Sequence, residues 1–338
     1  MTANAFISTT GSGLARAERQ TDGSWLVENL LGEQSVSCLA ADPLNPTTVY
    51  AGTKQNGVLR STDAGKSWKP AGMAGQTVKA VSVSRVEPGT VYAGTKPARM
   101  YVSRDGGANW SELDSFRRIP GRWFWLSPAE TPFTAYVQGI ALSPTDANVL
   151  VVGIEAGAVV RSGDGGRSWT THRAGAMRDC HSITFHATSG NRVYEAGGTG
   201  AGAAISHDSG ERWTQPSEGL DRHYGWACAA DPGDPDVWYV SVSPPGSLSS
   251  PAPAAHVDGK ANAGIYRKRD DSPWERLAGG LPNPLNYMAY ALITDPDAPG
   301  HLYAGLAHGE VWHSTDFGDH WAMLPFNLKS IHRAMIMV

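Results

Sequence analysis

The chain has 338 residues with 28 Lys and Arg against 32 Asp and Glu, a formal net charge of −4. With no basic run, a nucleic acid or an anionic membrane finds no electrostatic footing, so neither partner is expected. Three cysteines imply no disulfide framework, and the opening MTANAFISTTGSG shows no basic segment followed by an apolar core. The expectation is therefore a reduced, cytoplasmic protein without signal peptide or membrane anchor.

In chain order, residues 5–9, 13–18 and 25–28 read as three strands with no inner partner before them. Residues 36–43, 48–53 and 58–61 then show a clear unit: inner strand, Pro/Asp turn, second strand, Gly turn, third strand, hairpin, outer strand. Comparable units begin near Val78, Val137, Cys180, Gly225 and Ala289, and a single strand is left over at 331–338. Each unit carries one version of an eight-residue phrase: STDAGKSW ending at Trp68, SRDGGANW at Trp110, SGDGGRSW at Trp169, SHDSGERW at Trp213 and STDFGDHW at Trp321. Worn copies end at Trp25 and Trp274, so the seven tryptophans lie 43, 42, 59, 44, 61 and 47 positions apart. That is the period of a four-stranded propeller blade. The expected architecture is a single all-β domain over 1–338, a seven-bladed β-propeller with four-stranded antiparallel blades. Residues 1–30 and 331–338 form the composite blade that closes the ring and removes its free edges. Cys38, Cys180 and Cys228 fall on inner strands, where a small thiol packs well.

The phrase resembles the Asp-box, or BNR repeat, of sialidases, sortilin-type receptors, xyloglucan-cleaving glycosidases and photosystem II assembly propellers. Its chemistry is structural. Ser61 and Asp63 supply acceptors for backbone N–H groups, Gly65 adopts positive φ, and Trp68 plugs the seam between blades. Asp63, Asp105, Asp164, Asp208 and Asp316 are therefore not read as catalytic. The resemblance implies either a glycoside hydrolase-like enzyme or a non-catalytic ligand-binding or protein-assembly module. Phe116-Arg117-Arg118-Ile119-Pro120 is similar to the Arg-Ile-Pro motif of sialidases, but follows the second phrase where theirs precedes the first.

Function is expected on the face opposite the repeated hairpins. Strand parity puts the turns at 42–46, 231–235 and 295–299 beside those hairpins, and sends the long insertions 111–135 and 243–262 to the other end of the channel. Loops lengthened on one face of a repeat array mark its binding face. The first insertion gathers Arg117, Arg118, Arg122, Trp123, Phe124 and Trp125, which suit stacking on a sugar or clamping a carboxylate, or else anchor the loop on the propeller. The second, rich in Pro, Ser and Ala, reads as a flap ending in His256, Asp258 and Lys260. Aligned inner strands give a polar column at that mouth: Ser37, Lys79, Gln138, His181, Trp226, Tyr290 and His332. It is either a ligand site or a ring that holds ordered water.

Glu195 enters a second-strand column held elsewhere by Ala51, Ala93, Val152 and Ala304. Burial without a partner would make it an acid, whereas Arg178, Arg222 or His181 beside it would make it a structural pair. The expected catalytic set is Glu195, Glu155 and His181. The expected substrate-binding set is Arg118, Arg122, Trp123, Trp125, Gln138, Arg178, Trp226, Tyr290, His332 and Arg333, for a small-molecule or glycan ligand, with a protein partner on the insertion face as the other reading. No cofactor is implied. His181, His332 and Glu155 can converge on a metal, but no His-x-His or Glu-x-x-His spacing compels one.

Overall fold

The computed structural model describes residues 5–246 and 252–338 and contains seven antiparallel sheets set in a ring. Blade 1 comprises Val36–Asp42, Asn45–Thr53, Val58–Ser61 and Lys69–Pro70, and blade 2 comprises Thr77–Val83, Val91–Lys96, Met100–Ser103 and Ser111–Glu112. Blade 5 comprises Tyr224–Ala230, Val237–Ser243, Gly264–Arg269 and Glu275–Leu277, and blade 6 comprises Ala289–Thr294, Leu302–Leu306, Glu310–Ser314 and Ala322–Asn327. Blade 3 (Val137–Leu142, Leu150–Ile154, Val159–Ser162) and blade 4 (Cys180–Phe185, Val193–Gly197, Ala203–Ser206) have worn outer strands. There the fourth strand survives as a bond from Thr170 N–H to Arg161 O and as reciprocal bonds between Ile205 and Thr214.

Blade 7 is composite. Met335–Met337 is its inner strand and pairs with Ala5–Thr9, followed by Leu14–Arg19 and Trp25–Leu30. Phe6 packs on Tyr303 of blade 6 at 5.2 Å between ring centroids, while Ile7 on the opposite face joins the apolar layer shared with blade 1. The alternation of a strand thus sends successive residues of one short segment into two blade interfaces. The core is distributed in the same way, as a series of apolar layers between neighbouring blades.

The repeated phrase forms the same hairpin each time. Ser61 Oγ accepts the Gly65 N–H at 2.9 Å, Asp63 Oδ1 accepts the Ser67 N–H at 2.9 Å, and Trp68 Nε1 donates to Gly65 O at 3.0 Å. The serine and aspartate bonds recur at Ser162 and Asp164 and at Ser314 and Asp316. Each hairpin docks on the first turn of its own blade, through Ala64 N–H to Thr47 O, Gly165 N–H to Asn148 O and Phe317 N–H to Gly300 O. Both sets of turns therefore share one face.

At the other face, six inner strands break register at the same point: Val36/Cys38, Val78/Ala80, Val137/Gly139, Cys180/Ser182, Gly225/Cys228 and Ala289/Ala291. A β-bulge re-aims the side chain of its extra residue. Here the extra residues include Ser37, Lys79, Gln138, His181, Trp226 and Tyr290, which together ring the channel mouth. Cys38, Cys180 and Cys228 are free and buried.

Candidate functional site at the channel mouth

The seventh member of the ring is Arg333. His332 N–H bonds Thr9 O, and Thr9 N–H bonds Ala334 O, so both neighbours of Arg333 pair with the one residue Thr9. Arg333 is the bulged position, and His332 lies outside, exposed. The expected register was one residue early, and in a strand a one-residue slip exchanges inward for outward.

Arg333 ties the polar half of the mouth together. It donates to Gln138 Oε1 at 3.0 Å and to Tyr136 Oη at 2.8 Å, and Gln138 Nε2 passes the chain to His181 O at 3.1 Å. Lys79 lies over the Tyr136 ring, 4.7 Å from its centroid, and pairs with Glu130, to which Lys96 also extends. Burial, reinforced by the Arg333 charge, pushes the Lys79 ammonium down to about 8. Glu130 comes from the first insertion, so that loop closes one side of the mouth by an ion pair.

Beyond Gln138 stand Glu155, Asp179 and His181. Glu155 follows the second strand of blade 3, Asp179 precedes the inner strand of blade 4, and His181 is the bulge of that strand. His181 Nε2 is 3.6 Å from Asp179 Oδ2 and 3.9 Å from Glu155 Oε2. Its Nδ1 is 2.7 Å from Gly225 O, and since a carbonyl can only accept, Nδ1 carries the proton. Burial first, then the negative charge of Asp179, pushes the Glu155 carboxyl up to about 8. Asp179 Oδ1 accepts the Ala156 N–H, and a Cβ at Gly198 would lie 2.2 Å from Oδ2, so a larger residue there would displace the carboxylate.

The other half of the mouth is aromatic. Trp226 packs on His181 at 4.5 Å and on Tyr290 at 4.7 Å between centroids. His256, from the second insertion, sits edge-on over Trp226 and is held by Tyr224 Oη at 2.8 Å and Tyr290 Oη at 3.1 Å. Residues 247–251 of the expected flap lie outside the described residues.

A cleft of about 600 Å³ opens between the first insertion and blades 3 and 4. Phe124, Trp125, His172, Arg178 and Asp179 line it, so Asp179 is shared by the cleft and the cluster with Glu155 and His181. A second space of about 190 Å³ lies in the channel behind Lys79, Gln138, His181 and Arg333. Trp125 is buried against Phe116, under the Arg122 guanidinium at 5.9 Å, and Arg122 is further fixed to Ala98 O. Those two residues anchor the loop, while Trp123 and Phe124 are 70% and 78% exposed and Arg118 faces solvent. Arg178 reaches Gly157 O.

Glu195 does not join this group. It is wholly buried between blades 3 and 4, where Oε2 accepts the Met177 N–H at 3.0 Å and Cys180 is its other neighbour. Burial pushes it up to about 8. Arg178 and Arg222, its expected partners, are engaged elsewhere, Arg222 with Asn262 O and Asp221. The substitution in an apolar column was legible, but that side of the second strand, shared with Val193, faces the seam with blade 3. Tyr136, Tyr224 and Glu130 were not selected from sequence, and Asp179 was placed on the mouth beside Glu155 but given no role. Asp179 carried a signal in its position two residues before His181, whereas Glu130 is far from both lysines along the chain.

Fold and mouth together define a seven-bladed β-propeller with a cleft of mixed apolar and charged lining at the face opposite the repeated hairpins. No family model matches the sequence, and no curated protein matches it. Among solved structures the chain is similar to an ancestral GH74 enzyme (TM-score 0.65, 20% identity), with 85% of this chain and 38% of that one covered. It is likewise similar to the GH74 xyloglucanase of Xanthomonas campestris (TM-score 0.62, 18% identity; 94% and 46% covered). It also resembles YCF48 bound to D1 peptide (TM-score 0.58, 14% identity; 95% and 83% covered). The chain thus spans less than half the length of the two GH74 proteins, and these likenesses establish the fold. Among the described residues no helix is long and apolar enough to cross a membrane.

Proposed function

We propose that the cleft between the first insertion and blades 3 and 4 takes a glycan-type small molecule and presents it to Glu155 and Asp179, a glycoside hydrolase-like arrangement. The observation that carries this reading is the sharing of Asp179 between the 600 Å³ cleft and the Glu155–His181 cluster. An apolar ring such as Phe124 suits a sugar face, and Arg178 and the carboxylates suit its hydroxyls. One oxygen of each carboxylate lies within 4.8 Å of the other, short of the roughly 6.5–9.5 Å that leaves room for a water in inverting enzymes. A hydrolase built on this pair would be of the retaining kind. Likeness to GH74 propellers agrees with the class of ligand, and the pair Glu155–Asp179 replaces the pair Glu195–Glu155 expected from sequence. A panel of aryl glycosides and xyloglucan-type oligosaccharides, assayed for turnover and by calorimetry, tests it. Binding or turnover lost in Asp179→Asn supports the reading; a panel inert in both assays sinks it.

A protein-docking role is the second reading, favoured by the exposed Trp123, Phe124, Leu126 and Phe133 of the same insertion and by likeness to YCF48. Pull-down of a defined partner that survives Asp179→Asn and fails in a Trp123→Ala, Phe124→Ala double variant would favour it.

A further inference from the structure

We propose that Glu155, Asp179 and His181 hold a divalent transition-metal ion at the inner wall of the cleft. The inference stands without the glycan reading: carboxylates that hold the ion orient a ligand through it and do not serve as nucleophile and acid.

Three observations carry it. The first is spacing. One ligand atom from each residue lies within 4.8 Å of the others, with His181 Nε2 at 3.6 Å and 3.9 Å from the two carboxylates. These separations are too long for hydrogen bonds. The two histidine distances are slightly wider than the roughly 3.0–3.4 Å that separates neighbouring ligands sharing an ion at about 2.1 Å, and side-chain rotation has to bring the carboxylate oxygens, within 4.8 Å, closer. The second is orientation. Gly225 O fixes the proton of His181 on Nδ1, which leaves the Nε2 lone pair facing two carboxylates, and a backbone carbonyl on the far nitrogen is the usual support of a metal-ligating histidine. The third is the lack of any other partner. The Glu155 side chain is only 10% exposed, and apart from the 3.9 Å approach to His181 its carboxylate meets no hydrogen-bonding group among the described residues. The His181 side chain is 2% exposed. Glu155 and His181 Nε2 thus keep lone pairs that no protein donor takes up and that a cation can use.

The nearby cations are already engaged, Arg333 with Gln138 and Tyr136, and Lys79 with Glu130. One imidazole and two carboxylates favour Mn²⁺, Fe²⁺, Co²⁺ or Zn²⁺ over Ca²⁺ or Mg²⁺, which prefer oxygen alone. Three protein ligands leave positions for water or for ligand hydroxyls, and Asp179 turns the site toward the cleft.

Protein stripped with a chelator should bind Mn²⁺, Co²⁺ or Zn²⁺ at one equivalent per chain by calorimetry. Co²⁺ should add visible d–d absorption, and Trp226, packed on His181 at 4.5 Å between ring centroids, should lose emission in step with it. Glu155→Gln, which keeps the volume, and Asp179→Asn should each weaken binding at least tenfold while the chelated proteins still melt cooperatively. Asp179→Asn serves if Glu155→Gln fails to fold, since its side chain is 21% exposed. His313→Ala, removing a ring nitrogen 3.3 Å from His301, controls for adventitious binding. Absence of stoichiometric binding in the wild type would overturn the proposal. So would binding that survives both carboxylate changes, or that disappears in His313→Ala.

Discussion

The two faces of this propeller treat carboxylates in opposite ways. On the hairpin face, Asp63 and Asp105 are exposed and Asp164 and Asp316 half-buried, and all four receive backbone N–H, hydroxyl, amide or imidazole donors, which hold them low, Asp164 near 2. At the opposite end of the blades Glu155 is buried among few donors and is pushed up to about 8, as is Glu195 within the seam between blades 3 and 4. The sequence motif spends its acceptors on closing turns, which stabilises the fold. The mouth withholds donors, which costs stability and leaves groups free to meet a ligand. Repetition therefore identifies what is structural here, and departure from repetition identifies what is available for chemistry.

The comparison breaks most completely if both faces hang on the same closure. Deleting residues 331–338 removes the inner strand of blade 7 and Arg333 together, so cooperative thermal unfolding should be lost. A truncated protein that melts at the wild-type temperature would show that the ring does not need its clasp.

Next in size is the sign of the pH dependence. Glu195 has a folded value raised to about 8 above the ordinary 4.5, so the folded state holds an extra proton between those values. Its contribution is full below pH 4.5 and is lost as pH rises through 8, at about 1.4 kcal/mol per pH unit in that window. Glu195→Gln removes the titration and keeps an acceptor for Met177. Denaturant melts of the variant and the wild type should therefore diverge by about 3–4 kcal/mol in the variant's favour between pH 5 and 8. Parallel curves would show that Glu195 is not a buried acid.

On the hairpin face the sign reverses. Folded values there lie below the ordinary 3.8, so the stabilisation is present above pH 4 and is lost as pH falls toward 2. Asp164→Ala should cost about 1–2 kcal/mol at pH 7 by the measure of other capping acceptors, and less at pH 2.5, with ligand and metal binding unchanged. A specific binding defect in the folded variant would erase the division between faces. The smallest effect is expected at Trp123→Ala. Its ring is exposed, so the melting temperature should move by no more than the equivalent of about 0.5 kcal/mol while affinity for a protein partner falls. Loss of stability without loss of affinity would make it an anchor.

The seven blades, their order, the composite closure and the hairpins were legible in sequence, because each is written by local chemistry repeated at a fixed period. Serine, aspartate and glycine act within four residues of one another, and Trp marks every seam. The ring of Ser37, Lys79, Gln138, His181, Trp226 and Tyr290 was legible for the same reason, since strand alignment suffices to find a column. Tertiary structure alone decided which side chains meet. His332 gave way to Arg333 because the last strand has no phrase of its own to fix its register. Glu195 was diverted into a seam because alternation along a strand tells inward from outward only once its neighbours are placed. Asp179 joined Glu155 because two blades abut there, and Glu130 reached Lys79 across 51 positions because an insertion folds back over the mouth. Such meetings depend on distance in space, on which a local period carries no information.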